Sequence, residues 1–197
     1  MSVPMLWAAL SSALGATLLW AGVPKVGDRA RLTRAVRGYR LLPDALAPWI
    51  ATVLPWVEIV LGAALVIGGA PRLAGAAAAA LFAVFFAALT VNLARGRRDL
   101  DCGCFAFAAG GDEVARIGWW HAVRAAVLAI SAAVLVTTPP LSGFDRAAGA
   151  GIGLFAVAVL GVGLYARSVM SLGRRPVDDY LTDAAIELRA VSALSRY

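Results

Sequence analysis

Charge is scarce in this chain. Asp, Glu, Lys and Arg make up 15% of its residues, where a soluble domain has about a quarter. Hydrophobic residues reach 61% and the mean hydropathy is +0.79, which excludes a water-facing globular surface and places the chain in a bilayer. Cysteine and histidine are scarcer still, two and one in 197 residues. That excludes a disulfide framework and a zinc site of four cysteines. No phosphate loop, nucleophile elbow or dinucleotide fingerprint occurs, so no nucleotide cofactor is expected. The first apolar stretch has no basic region before it and no small-x-small site before "VPKVG", so it reads as a span and not as a cleaved signal peptide.

Long apolar runs are what the chain has in abundance. Four segments read as spans at once, about 5–23, 46–68, 72–94 and 119–137, and a fifth, 147–166, is Gly-rich and uncharged. Each is close to the ~20 residues a helix needs to cross ~30 Å of hydrocarbon. The expected fold class is therefore all-α, an integral membrane helical bundle over residues 1–170. The Ala-rich third span and the Gly149–Gly153 pair predict close packing on neighbouring helices. After Gly173 the composition turns polar, and Pro176, Asp178 and Asp179 mark a helix start. Leu181, Ala184, Leu188 and Val191 then form one stripe, so residues 171–197 read as an amphipathic cytoplasmic tail. Between spans one and two, Leu32, Ala35, Val36 and Tyr39 recur at helical spacing, with arginines on other faces and Asp28 as cap. This predicts a short basic helix lying on the membrane surface, for which lipid adhesion is a sufficient role.

The formal charge of +6 follows the loops. Lys25, Arg29, Arg31, Arg34, Arg37 and Arg40 lie between spans one and two. Arg95, Arg97, Arg98 and Arg116 lie between spans three and four. The tail adds Arg167, Arg174, Arg175, Arg189 and Arg196, while the opposite side has only Arg72 and Arg146. Excess Lys and Arg mark cytoplasmic loops, which predicts an outside N-terminus, a cytoplasmic C-terminus and a cytoplasmic "DCGC". The basic charge thus reads as a topology and anionic-lipid signal, with no nucleic-acid partner expected.

Both thiols, Cys102 and Cys104, flank a single glycine. Such a pair closes a small ring that removes little chain entropy and is readily reduced, so it suits electron exchange better than stapling. Quiet burial of two free thiols is the plain alternative. Metal binding is another, with Asp101, Cys102, Cys104 and His121 as four possible ligands. Only two of these are thiolates, and no metal is expected. Ionisable residues inside spans are costly and usually have a purpose. Glu58 lies about 17 Å from the cytoplasmic end of span two, and Arg124 about 9 Å from that of span four. His121 shares a face with Arg124, Asn92 lies at a similar depth, and Lys25 ends span one on that side. Glu58 is expected to have a partner among Lys25, Asn92 and Arg124. The pair fixes helix order, polarises a site beneath the cysteines, or does both.

From about Ala21 to Leu128 the chain resembles the MauE branch of the MauE/DoxX-like membrane proteins. The resemblance rests on "AGVPKV", "YRLLPDALAPWIATVLPWVEIVLG", "VNLARGRRDLDCGCF" and "WWHAVRAAVL", with Lys25, Tyr39, Pro43, Glu58, Asn92, the Arg-Gly-Arg run before the thiols, the Cys-Gly-Cys-Phe and Arg124 falling in order. It implies a four-helix core, here followed by a fifth span and the tail, and a redox-associated role beside a thioredoxin-like partner. The founding member is similar in acting during maturation of methylamine dehydrogenase, a disulfide-rich periplasmic enzyme. Ala106 stands where the family pattern has glycine, and a methylamine role is not carried over.

The expected function is a membrane-embedded thiol–disulfide redox protein. Cys102 and Cys104 are its reactive pair, supported by Lys25, Glu58, Asn92, His121 and Arg124. A membrane quinone is the cofactor left open. The competing class is a non-catalytic scaffold or accessory subunit of a membrane complex.

Overall fold

The computed structural model describes residues 2–68, 70–98, 100 and 117–172, with 167–172 as backbone. Every regular element among them is helical: α1 (Val3–Gly27), α2 (Arg29–Tyr39), α3 (Ala47–Ile67), α4 (Pro71–Ala94), α5 (Trp119–Val134) and α6 (Gly143–Leu172), with short 3-10 turns at Asp44–Leu46 and Leu135–Thr137. α1, α3 and α4 each carry a proline in the first turn, Pro4, Pro48 and Pro71. There the missing N–H is no loss and the fixed φ favours the helix. Gly68, at φ 71, closes α3 in the left-handed conformation. Five helices are long and apolar enough to cross a membrane.

By packing, the chain divides into residues 1–159 and 160–197. In the first unit, α1 and α3 run antiparallel. Ser11 Oγ donates to the Leu65 carbonyl near one end of the seam, and Lys25 meets Glu58 toward the other. α4 and α5 form a second antiparallel pair, with Arg72 Nε donating to the Thr138 carbonyl at one end. At the opposite end of that pair Leu89 and Leu93 pack with Ala122 and Ala125. Leu14, Leu18, Leu65, Phe82 and Leu135 join the two pairs in one core.

The small residues act as expected for a bilayer fold, where close backbone approach replaces a hydrophobic drive between helices. A Cβ on Gly149 would collide with Ala8, and one on Gly153 with the Ala9 carbonyl. The order of these contacts makes α6 parallel to α1, as an up-and-down chain of five spans requires. Outward faces carry large apolar side chains such as Leu73, Ile130 and Phe155, a covering suited to hydrocarbon. The described part of the second unit is the end of α6, where Val162, Leu164 and Tyr165 are exposed.

α2 is the short basic helix expected between the first two spans. Its Asp28 cap is present, with Asp28 Oδ1 accepting from Arg31 N–H at 3.0 Å. Its apolar stripe, however, packs on α3, and Leu32 is buried. Periodicity shows that a helix has an apolar face, but not whether lipid or protein covers it. The tail helix expected over 171–197 lies almost wholly outside the described residues.

Candidate functional site

The carboxylate of Glu58, fully buried in α3, takes two bonds from Lys25 Nζ, at 2.6 Å to Oε1 and 2.8 Å to Oε2. Lys25 sits in the last turn of α1 and is 7% exposed. Gly22, one turn earlier, permits this approach, since a Cβ there would lie 2.9 Å from Glu58 Cβ. The ammonium also stands 5.8 Å from the centre of the Phe85 ring on α4, within cation–π range. Among the three partners open to Glu58 in the sequence, the structure supplies Lys25. One of the six cations assigned to the first basic loop is therefore inside the protein.

Asn92 belongs to a different cluster. It is fully buried, its Nδ2 donates to the Ala88 carbonyl, and its Oδ1 accepts from Arg97 Nη1 at 3.1 Å. Local chain chemistry brings Arg97 there. Gly96 adopts φ 73 after the end of α4, so its N–H reaches the Leu93 carbonyl and the Arg97 N–H reaches that of Asn92. This is a Schellman closure, and glycine adopts the required conformation without penalty. Folded back in this way, the Arg97 guanidinium donates from Nη2 to the Gly38 carbonyl at 2.8 Å and from Nη1 to the Tyr39 carbonyl at 3.3 Å. It thereby holds the C-terminus of α2. In the sequence Arg97 stands among the loop cations and in the Arg-Gly-Arg run of the family resemblance, with no partner assigned to it. The signal available was the Arg-Gly-Arg run directly after an apolar helix.

Next to this clamp the chain enters and leaves the segment that carries the thiols. Ile117 N–H donates to the Arg98 carbonyl at 3.0 Å, so the segment's two ends are tied together. Leu100 and Ile117 are buried with Leu89 and Leu93, and Tyr39 packs against them. Cys102 and Cys104 themselves lie outside the described residues.

His121 and Arg124 are on the first turns of α5. Gly118 N–H donates to His121 Nδ1 at 3.1 Å, the return half of a capping box. Nδ1 is thus the acceptor, and Nε2 carries the ring proton. His121, Arg124 and Glu58 line one cavity of about 30 Å³ with Thr17, room for one or two waters. The sequence-derived polar residues therefore fall in two places. Lys25 and Glu58 are bonded beside the cavity that His121 and Arg124 share, and Asn92 serves the Arg97 clamp.

Five helices long and apolar enough to cross a membrane, with an ion pair buried between two of them, define a multi-pass helical membrane protein. Residues 3–138 match the family described as methylamine utilisation protein MauE. The chain belongs to the MauE family. It is 34% identical over 109 residues to the methylamine utilization protein MauE of Methylophilus methylotrophus, covering 55% of this chain and 56% of that protein. It is 35% identical over 102 residues to that of Paracoccus denitrificans, covering 52% and 55%. With the MauE of Paracoccus versutus the identity is 34% over 157 residues, 80% of this chain and 82% of that protein. The chain thus spans little more than half of the first two relatives. No solved structure matches it.

Proposed function

We propose that this protein is a membrane thiol–disulfide exchanger whose working pair is Cys102 and Cys104. The observation that carries the reading is the base of their segment. Two thiols one glycine apart lie between chain ends tied by the Arg98–Ile117 bond. Beside that tie Arg97 is held by three neutral oxygens, with no carboxylate partner among the described residues. A fixed positive charge near a thiol favours the thiolate, the form that attacks disulfides. The exchange moves two electrons. A thiolate, assigned to Cys104 because Asp101 adjoins Cys102, attacks one sulfur of a partner's disulfide and displaces the other as a thiolate. Cys102 then attacks the mixed disulfide, leaving Cys102–Cys104 oxidised and the partner reduced to a dithiol. Run backwards, the same steps oxidise the partner.

The partner in this reading is a thioredoxin-like redox protein. The orientation is N-terminus outside, with the C-terminus and the cysteine segment cytoplasmic, as the distribution of arginine favours. The relatives are named for methylamine utilisation; thiol exchange on a client is the chemistry we carry to this chain from the family. Titration of the purified protein in lipid nanodiscs against a thiol redox buffer tests it. A potential above about −300 mV is expected, and a lower one, in the range of structural disulfides, overturns the reading. Labelling in intact cells with permeant and impermeant thiol reagents is expected to reach the cysteines only with the permeant reagent.

A further inference from the structure

The orientation of α2 is fixed from two sides. Leu32 is buried where the helix packs on α3, and Arg97 holds the Gly38 and Tyr39 carbonyls at its end. The helix therefore cannot roll to offer its apolar stripe to lipid. What it offers instead is charge. Arg34 and Arg37, one turn apart, lie away from the stripe, and Arg29 and Arg40 stand at the two ends of the helix. All four are exposed. Among the described residues no carboxylate comes within ion-pair distance of any of them. The acids of this stretch are Asp28, which accepts the Arg31 N–H as helix cap, and Asp44. Like charges at helical spacing repel one another, so this face favours an anionic counter-surface.

The residues after α2 select that surface. Leu42 and Leu46 are exposed just beyond Arg40, and Trp49, in the first turn of α3, is 72% exposed. Exposed leucines and a tryptophan at the end of a span belong at the headgroup level of a bilayer. A soluble acidic protein would meet the arginines and leave the leucines unmatched. An anionic bilayer meets both, with phosphates on the guanidinium groups and acyl chains on the apolar loop.

We propose that the arginine face of α2 and the loop that follows form a docking surface for anionic phospholipid. Phosphodiester groups sit on Arg29, Arg34, Arg37 and Arg40, and the adjoining acyl chains lie against Leu42 and Leu46. A basic amphipathic helix ordinarily inserts its own apolar stripe into the membrane. Here the stripe is spent on α3, and the loop supplies the apolar half of the contact. The surface does not rest on the thiol reading, because no sulfur takes part in it.

The test uses the full chain in phosphatidylcholine bilayers, probed with spin-labelled phosphatidylglycerol and spin-labelled phosphatidylcholine. Phosphatidylglycerol is expected to be held in preference. That preference should vanish in about 1 M salt, where the screening length falls to about 3 Å. Arg34→Gln/Arg37→Gln/Arg40→Gln is expected to reduce it about fivefold for each charge removed, and the matching triple lysine variant to keep it. Arg95→Gln/Arg98→Gln, which removes two exposed arginines outside α2, is expected to have the smaller effect. Soluble glycerophosphoglycerol, the headgroup without chains, is expected not to compete. An unchanged preference in the triple glutamine variant, or one insensitive to salt in the unaltered protein, overturns the proposal. A loss as large in Arg95→Gln/Arg98→Gln overturns the assignment to α2. Competition by glycerophosphoglycerol would make the face a site for free phosphate, and displacement of the lipid by polyglutamate would make it one for an acidic protein; either overturns the proposal. A low thiol potential would remove the exchange reading and leave these measurements unaffected.

Discussion

Lys25 and Arg97 are both cations held by one helical bundle, but they are satisfied in opposite ways. Lys25 faces a carboxylate and its charge is cancelled on the spot. Arg97 is surrounded by two backbone carbonyls and an amide oxygen, with no carboxylate bonded to it among the described residues. The first arrangement locks α1 to α3 and is electrically self-contained. The second ties α2 to the end of α4. Burial depth accounts for the choice. An unpaired charge deep in a span costs far more than one near the helix ends, where water and headgroups are close. The side chains follow the same division. Lysine is a compact charge that a single carboxylate can match, whereas the planar fork of arginine reaches several acceptors at once.

Breaking the ion pair from one side is the largest perturbation available. Lys25→Met or Glu58→Gln is expected to cost about 3–5 kcal/mol, since each leaves a buried polar group without its partner. Unfolding in mixed micelles measures the loss. Lys25→Met combined with Glu58→Leu is expected to recover most of it, and single variants no weaker than the double would show that the pair is not self-contained.

Arg97→Met tests the other half of the comparison. It removes hydrogen bonds from a charged donor, each worth roughly 1.5–3 kcal/mol. The change should fall on α2 and the thiol segment. Faster hydrogen exchange at the end of α2 and slower alkylation of the cysteines are expected. Arg97→Lys should restore little, because an ammonium cannot span the three acceptors. Alkylation unchanged by Arg97→Met would separate the clamp from thiol reactivity.

Gly96→Ala perturbs the same clamp through the backbone alone. A left-handed residue with a Cβ costs roughly 1–2 kcal/mol, and the phenotype should be a weaker copy of Arg97→Met. The smallest effect is expected from Ser11→Ala in the α1–α3 seam. It removes one neutral bond to the Leu65 carbonyl, and interhelical bonds of this kind average about 0.6 kcal/mol in a bilayer. Thermal unfolding of this variant sets the baseline against which the ion pair is compared.

The spans were legible because their signal is one of composition. Twenty apolar residues in a row permit few structures other than a crossing helix. All five appear, Trp119–Thr137 at its expected bounds and Val3–Gly27 longer than the expected 5–23. Candidate polar residues were legible for a related reason, since a lone Glu58 or Asn92 in such a run stands out. Which of them meet was not legible. Lys25, Asn92 and Arg124 all lie on the same side of the expected bundle, and sequence order gives no distance between residues on different helices.

What the sequence determined by itself was therefore the solvent and the inventory: a bilayer chain of five apolar helices, a short basic helix, a few intramembrane polar groups and two thiols one glycine apart. Hydropathy, charge and spacing are local quantities, and these features depend on nothing else. Tertiary structure alone decided that Lys25 neutralises Glu58, that the apolar face of α2 packs on α3, and that Arg97 folds back on Asn92. Each of these depends on helix rotation and approach, and backbone contact at residues such as Gly22 sets both. Pairing follows from where packing leaves each side chain, and packing is a property of the whole bundle.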